Sequence, residues 1–130
     1  MKKTMNSVLT LLAISGLVFA TSCKKNGTGG KAEVHAMITN NGKPIYHSTV
    51  YVKFGTHHAP SDPTTDYDMK AHGEETDNHV HIEDLRPGEY YLYAVGTNTL
   101  TGKTVKGGTS VEIKWKERKE TLEADIETTE

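Results

Sequence analysis

The chain has 130 residues, of which 25% are charged and 35% hydrophobic, and its formal net charge at pH 7 is −2. This length suits one domain with its own hydrophobic core. A mildly acidic chain lacks the basic patch that phosphate backbones require, so the composition argues against a nucleic-acid partner.

The first residues have the pattern of an export signal. Lys2 and Lys3 form a short positive region, and residues 8–20 are mostly apolar. An apolar run of this length matches a secretory signal and is too short to cross a hydrocarbon core of roughly 30 Å. We therefore predict that residues 1–22 are a signal peptide that is removed during export.

The only cysteine of the chain, Cys23, directly follows the small residues 20–22. This pattern resembles a bacterial lipobox, which implies that Cys23 carries acyl chains such as palmitate and anchors the protein in the cell envelope of a Gram-negative-type bacterium. Lys24 stands where an aspartate would indicate inner-membrane retention, so the outer membrane is the expected location. The alternative is a plain secretory signal followed by an incidental cysteine.

Removal of residues 1–22 leaves 108 residues with a net charge of −4, because two lysines and no carboxylates are lost. Residues 23–30 contain several glycines and are predicted to be the lipidated cysteine with a flexible tether. Residues 31–130 are predicted to form a single domain.

Beyond the tether, apolar residues recur at every second position, which is typical of strands with one buried face. Seven short strands are predicted, and the turn at residues 116–120 is predicted to be a charged hairpin between the last two. These strands favour an all-β fold, an immunoglobulin- or prealbumin-like antiparallel sandwich of seven strands. The alternating apolar residues are Val34, Ala36, Ile38, Val50, Val52, Phe54, Tyr67, Met69, Ala71, Val80, Ile82, Tyr90, Leu92, Ala94, Val111, Ile113, Trp115, Leu122, Ala124 and Ile126.

Two segments carry a family likeness. Residues 42–45, Gly-Lys-Pro-Ile, lead into the alternating valines of residues 49–52, and residues 80–92 contain a Leu-Arg-Pro-Gly-Glu-Tyr turn between apolar pairs. Both segments resemble signatures of carboxypeptidase regulatory-like domains, and the likeness extends over roughly residues 31–126. It implies a transthyretin-like sandwich that acts as a structural, adhesive or partner-binding module, and it supplies no catalytic residues.

Histidine is the residue type that most invites chemistry. His79 and His81 share the outward face of one predicted strand. If the third and fourth strands form a hairpin through residues 73–78, His72 lies opposite His79 and diagonal to His81. These three imidazoles, with Asp68 or a water as fourth ligand, predict a Zn²⁺ or Cu²⁺ site. Solvated histidines without a metal are the simpler alternative. The seven histidines are His35, His47, His57, His58, His72, His79 and His81.

Once acylated, Cys23 has no thiolate, and the sequence has no G-x-S-x-G elbow and no phosphate-binding glycine loop, so no enzyme, catalytic residue or cofactor is predicted. We expect a membrane-anchored lipoprotein whose sandwich binds or supports an envelope protein or a glycan; the alternative is a periplasmic metal-binding protein. Tyr51, Tyr91 and Tyr93 form a candidate aromatic patch for the partner. Their alternation fits packing against a second sheet equally well.

Overall fold

The computed structural model describes residues 26–130; the predicted signal peptide and Cys23 lie outside the described residues. The fold is an all-β sandwich, which confirms the predicted class. Within residues 26–130 there are eight strands rather than the seven predicted, because a short hairpin adds Lys43–Pro44. The strands are β1 (Thr28–Asn40), β2 (Lys43–Pro44), β3 (Thr49–Phe54), β4 (Met69–His72), β5 (His79–Leu85), β6 (Gly88–Thr97), β7 (Thr104–Ile113) and β8 (Thr121–Glu127). No helix within residues 26–130 is long and apolar enough to cross a bilayer.

The strands form two sheets. In the first sheet, β1 lies between β5 and β8, and β2 pairs with the last residues of β1. In the second sheet, the strand order is β4-β3-β6-β7. All pairs are antiparallel except β1 with β8, which is parallel. The expectation of an entirely antiparallel sandwich is therefore wrong for this pair. β7 ends at the end of the sandwich where β1 begins, and the chain crosses there into the first sheet, so β8 runs in the same direction as β1.

The core lies between the two sheets and follows the predicted alternation. Val34, Ala36 and Ile38 from β1 are fully buried, as are Tyr90 and Leu92 from β6. At roughly 25 cal/mol per Å² of buried apolar surface, such residues supply most of the favourable free energy of folding. The side chains at the alternate positions of these strands point outward from each sheet, where they can form surface sites.

Two predicted hairpins are wrong, because the strands that they would join lie in different sheets. β4 pairs with β3 and β5 pairs with β1, so residues 73–78 cross between the sheets. Residues 114–120 also cross between the sheets and contain a single 3-10 turn, Trp115–Glu117. Trp115 is 70% exposed instead of facing the core, since β7 has already ended at Ile113.

The predicted tether is part of the domain from Asn26 onward. The Asn26 backbone N–H donates to the Pro87 carbonyl at 2.7 Å, and β1 begins at Thr28. The buried Tyr90 hydroxyl accepts a hydrogen bond from Gly27 N–H at 2.7 Å and donates one to the Arg86 carbonyl at 2.6 Å. This arrangement is that of the tyrosine corner of immunoglobulin-like sandwiches. We call the end of the sandwich formed by residues 26–31, 85–88 and 113–120 the entry pole.

Candidate functional site

The outward face of the first sheet collects histidines and carboxylates. The antiparallel register of β1 and β5 places His35 directly opposite His81 and Met37 opposite His79. On the other side of β1, the parallel register places Glu123 beside His35. Because directly opposed side chains on one sheet face lie roughly 4.5 to 5.5 Å apart at Cβ, these groups are in contact range.

Glu33, His35 and His81 form the closest group, which we call the histidine–glutamate cluster. Glu33 Oε1 is 2.6 Å from His35 Nε2 and 3.1 Å from His81 Nδ1. The two imidazole rings meet edge to face, with their centroids 4.1 Å apart. One carboxylate oxygen therefore bridges two imidazoles that are held on adjacent strands.

The cluster stabilises the ionised form of its carboxyl group. Hydrogen bonds from His81 and then His35 hold the pKa of Glu33 below its ordinary value. The other ring nitrogen of His35, Nδ1, lies 3.6 Å from Glu123 Oε1. Metal-ligating histidines in proteins commonly bind the metal through one ring nitrogen and direct the other toward a carboxylate. His35 has this orientation, with Nε2 in the cluster and Nδ1 toward Glu123.

The donor set suits a borderline transition metal. Among residues 26–130, Glu33, His35 and His81 are the one group of histidine, cysteine and acidic side chains that offers three ligand atoms within 4.8 Å of one another. Ligand atoms around tetrahedral zinc, with bonds near 2.0 to 2.1 Å, are roughly 3.3 Å apart. The distances from Glu33 Oε1 to the two imidazole nitrogens, 2.6 and 3.1 Å, are near that spacing, and three protein ligands leave a fourth position for water.

The structure does not bring the predicted metal ligands together, because the hairpin that would have placed His72 opposite His79 does not form. His72 is on β4 in the second sheet, where its Nδ1 lies 3.0 Å from Thr49 Oγ1. Asp68 accepts a hydrogen bond from the Phe54 backbone N–H at 2.7 Å. His79 lies 2.9 Å from Asp77 Oδ1. Of the predicted ligands, only His81 belongs to the histidine–glutamate cluster.

Sequence reasoning missed Glu33 and His35 as partners of His81. Both alternate with buried residues of β1, so their outward direction was visible in the sequence. Their pairing with His81 joins positions 46 or more residues apart. Such a pairing becomes visible only when the strand order of the sheet is known, because two-residue alternation specifies a face and not a neighbour.

The outward face of the second sheet carries four tyrosines, Tyr51, Tyr67, Tyr91 and Tyr93, which we call the tyrosine face. Tyr51 lies directly opposite Tyr93, and the Tyr51 and Tyr67 rings meet edge to face at 5.0 Å. All four side chains are half-buried. The core positions of β6 are taken by Tyr90, Leu92 and Ala94, so the tyrosine face does not pack against the first sheet.

Gly108 in β7 makes room for the Tyr91 side chain on the tyrosine face. Gly108 lies opposite Tyr93, and a Cβ atom at Gly108 would come within 2.2 Å of the Tyr91 hydroxyl. The Tyr91 ring therefore lies flat over β7 instead of standing away from the sheet. Burial is the largest cause of a raised pKa of Tyr91, followed by the neighbouring Tyr93, so this hydroxyl stays protonated at neutral pH.

No family model matches the chain, and no curated protein is significantly similar to it. The likeness of residues 42–52 and 80–92 to carboxypeptidase regulatory-like domains therefore stays a prediction.

Proposed function

We propose that this protein is an outer-membrane lipoprotein, anchored through Cys23, whose non-catalytic sandwich binds an envelope protein or a glycan through the tyrosine face. The observation that carries the proposal is the set of four half-buried tyrosines on an outward sheet face. In this proposal the sandwich is a carboxypeptidase regulatory-like, transthyretin-like binding module.

The chemistry of the tyrosine face suits recognition. Each tyrosine offers a large apolar ring with a polar tip and has only two side-chain torsions to immobilise, so contact area is gained at a low entropy cost. The rings of Tyr51 and Tyr67 already hold each other in place. Charged groups border them: Lys53 lies opposite Tyr91 in the register of β3 and β6, and its Nζ is 2.8 Å from Asp66 Oδ1. An apolar centre with a polar rim is the usual anatomy of a binding surface.

Replacing two central tyrosines is expected to abolish partner capture. Tyr51→Ser with Tyr93→Ser removes two opposed rings, and loss of two interface tyrosines should reduce recovery of the partner from solubilised envelopes at least about tenfold. Affinity pull-down with quantitative mass spectrometry and a glycan array measures this. Tyr46→Ser is the matched control, because Tyr46 is 42% exposed and lies outside the tyrosine face.

The proposal fails if the double variant, shown by circular dichroism to be folded, recovers the same partners in the same amounts as the wild type. It fails equally if Tyr46→Ser removes capture to the same extent as the double variant, because the tyrosine face would then have no special part in binding.

A second function is favoured by the histidine–glutamate cluster, which offers two imidazole nitrogens and one carboxylate oxygen. We propose binding of Zn²⁺ or Cu²⁺ by Glu33, His35 and His81, with Glu123 orienting His35 from outside the ligand set. Imidazole and carboxylate ligands suit both metals, and water would complete the coordination. The ligands are on paired strands, so little backbone ordering is required on binding.

Calorimetric titration of the protein with Zn²⁺ and Cu²⁺ tests this second function. We expect binding of one ion and at least about a hundredfold loss of affinity in His35→Ala with His81→Ala, because removing two of three ligands leaves a single carboxylate. His72→Ala is the matched control, since this histidine is in the other sheet. An unchanged affinity in the double variant would place the site elsewhere, and the absence of heat in the wild type would remove the function altogether.

A further inference from the structure

The single tryptophan of the chain is at the surface of the entry pole. Trp115 is 70% exposed, and it begins the 3-10 turn that follows β7. The Arg118 guanidinium carbon lies 4.6 Å from the centre of the indole ring, and Arg118 Nη1 donates to the Trp115 carbonyl at 3.1 Å. The indole is thus held outward by its own turn and paired with a cation.

Beside this indole is a mainly apolar pocket that is bordered by cationic side chains. It has a volume of about 370 Å³ and lies between the Trp115 turn and the turn at Arg86 and Pro87. Its lining contains four cationic side chains and no carboxylate, although the whole chain has a net charge of −2. The lining residues are Gly30, Lys31, Arg86, Pro87, Trp115, Arg118 and Lys119.

The acidic side chain within the Trp115 turn is directed back to the backbone. Glu117 Oε1 accepts a hydrogen bond from the Lys114 N–H at 3.0 Å, and Glu117 does not line the pocket. The positive charges of the pocket therefore have no carboxylate beside them in its lining. An anionic surface would complement both these charges and the amphipathic indole, which favours the boundary between headgroups and acyl chains.

The chain between the pocket and the proposed anchor is short. Asn26 is hydrogen-bonded to Pro87, which lines the pocket. Cys23 precedes Asn26 by three residues, so their Cα atoms are at most about 11 Å apart, because consecutive Cα atoms are separated by 3.8 Å. The two residues between them, Lys24 and Lys25, add further positive charge at the same end.

We propose that the entry pole docks on the bilayer, with Trp115 in the headgroup region and Lys31, Arg86, Arg118 and Lys119 contacting anionic phospholipid headgroups. This inference rests on the proposed lipid anchor at Cys23. Docking would add a second membrane contact to the acyl chains. It would stand the sandwich upright and leave both the tyrosine face and the histidine–glutamate cluster accessible from the side.

Tryptophan fluorescence tests the docking directly, because Trp115 is the only indole in the chain. The full lipoprotein is reconstituted into vesicles of phosphatidylethanolamine with phosphatidylglycerol, and separately into vesicles of phosphatidylcholine. We expect a shift of emission to shorter wavelength and quenching by brominated acyl chains in the anionic vesicles, with both effects reversed by high salt.

Charge-neutral variants at the entry pole supply the quantitative test. Lys31→Gln with Lys119→Gln should lower the ratio of docked to undocked protein roughly thirtyfold, since each cation near an anionic surface contributes a factor of about five. Lys43→Gln with Lys103→Gln removes the same charge at the opposite end of the sandwich and should leave the emission unchanged. Flotation with the vesicles measures the anchor independently of the indole.

The outcomes separate the two proposals. Protein that does not float with vesicles refutes the anchor. Protein that floats but keeps a water-exposed Trp115 emission on anionic vesicles refutes the docking alone, as does an equal shift on phosphatidylcholine. A shift produced by inorganic phosphate or an acidic peptide without lipid would assign the pocket to a soluble anion and overturn the membrane assignment.

Discussion

Tyr90→Phe is expected to lower the free energy of unfolding by about 2 to 3 kcal/mol, although it removes a single oxygen atom. The ring would keep its edge-to-face contact with Phe54, whose centroid is 5.6 Å away. The buried Gly27 N–H and the Arg86 carbonyl would lose their hydrogen-bond partner. A buried polar group without a partner carries the full cost of its desolvation, which exceeds the net value of the bond itself.

Urea unfolding measures this loss, and amide hydrogen exchange shows where it arises. Exchange at Gly27 should become faster in Tyr90→Phe, because its N–H would no longer be bound to the hydroxyl. Tyr93→Phe is the matched control: its hydroxyl is on the outward tyrosine face, and the change should stay within about 0.5 kcal/mol. Equal stability of the two variants would mean that the Tyr90 hydroxyl does not hold the entry pole together.

Gly107→Ala is expected to destabilise the sandwich by at least about 2 kcal/mol. The added methyl group would clash with the backbone of a neighbouring segment and force the two segments apart. A Cβ atom at Gly107 would lie 2.3 Å from the Glu127 carbonyl oxygen and 3.0 Å from Thr128 Cα. The two edges are also joined beside this point, where Lys106 and Thr129 exchange backbone hydrogen bonds of 2.9 Å. A methyl group at Gly107 would push this junction between the sheets open.

The neighbouring glycine supplies a matched control for that prediction. In Gly108→Ala the new methyl group would meet the Tyr91 side chain, whose ring can rotate away more cheaply than a strand can move. Urea unfolding should therefore rank Gly107→Ala as the more destabilising of the two changes. The reverse order would show that the close approach of β7 to the chain end is not a constraint on stability.

Two-residue alternation was sufficient to predict the sandwich and most of its core. Val50, Val52, Val80 and Ile82 are buried as the pattern indicates, because a strand with one apolar face must cover that face. Tyr67, which precedes β4 and lies on the tyrosine face, is one exception among the large residues, and Trp115 is the other. The pattern continued through it, but the strand did not, because the chain leaves the second sheet at residue 114.

Strand partners were the part that the sequence did not determine. Residues 73–78 have the polar character of a hairpin turn, yet they carry the chain from one sheet to the other. The candidate metal site in the structure differs from the predicted one for the same reason, because the partner of β5 was not predicted. His81 points outward as predicted, and its neighbours are Glu33 and His35 of β1 instead of His72, because β5 pairs with the first strand.

The parallel pairing of β1 with β8 also determines how far the two ends of the domain lie apart. Both strands start near the entry pole and run away from it, and β1 spans 13 residues. At about 3.3 Å per residue, that strand alone extends roughly 40 Å. A fluorescent reporter fused after Glu130 would therefore project from the end remote from the proposed anchor at Cys23, and energy transfer from it to labelled lipids would measure the tilt of the docked molecule that we propose.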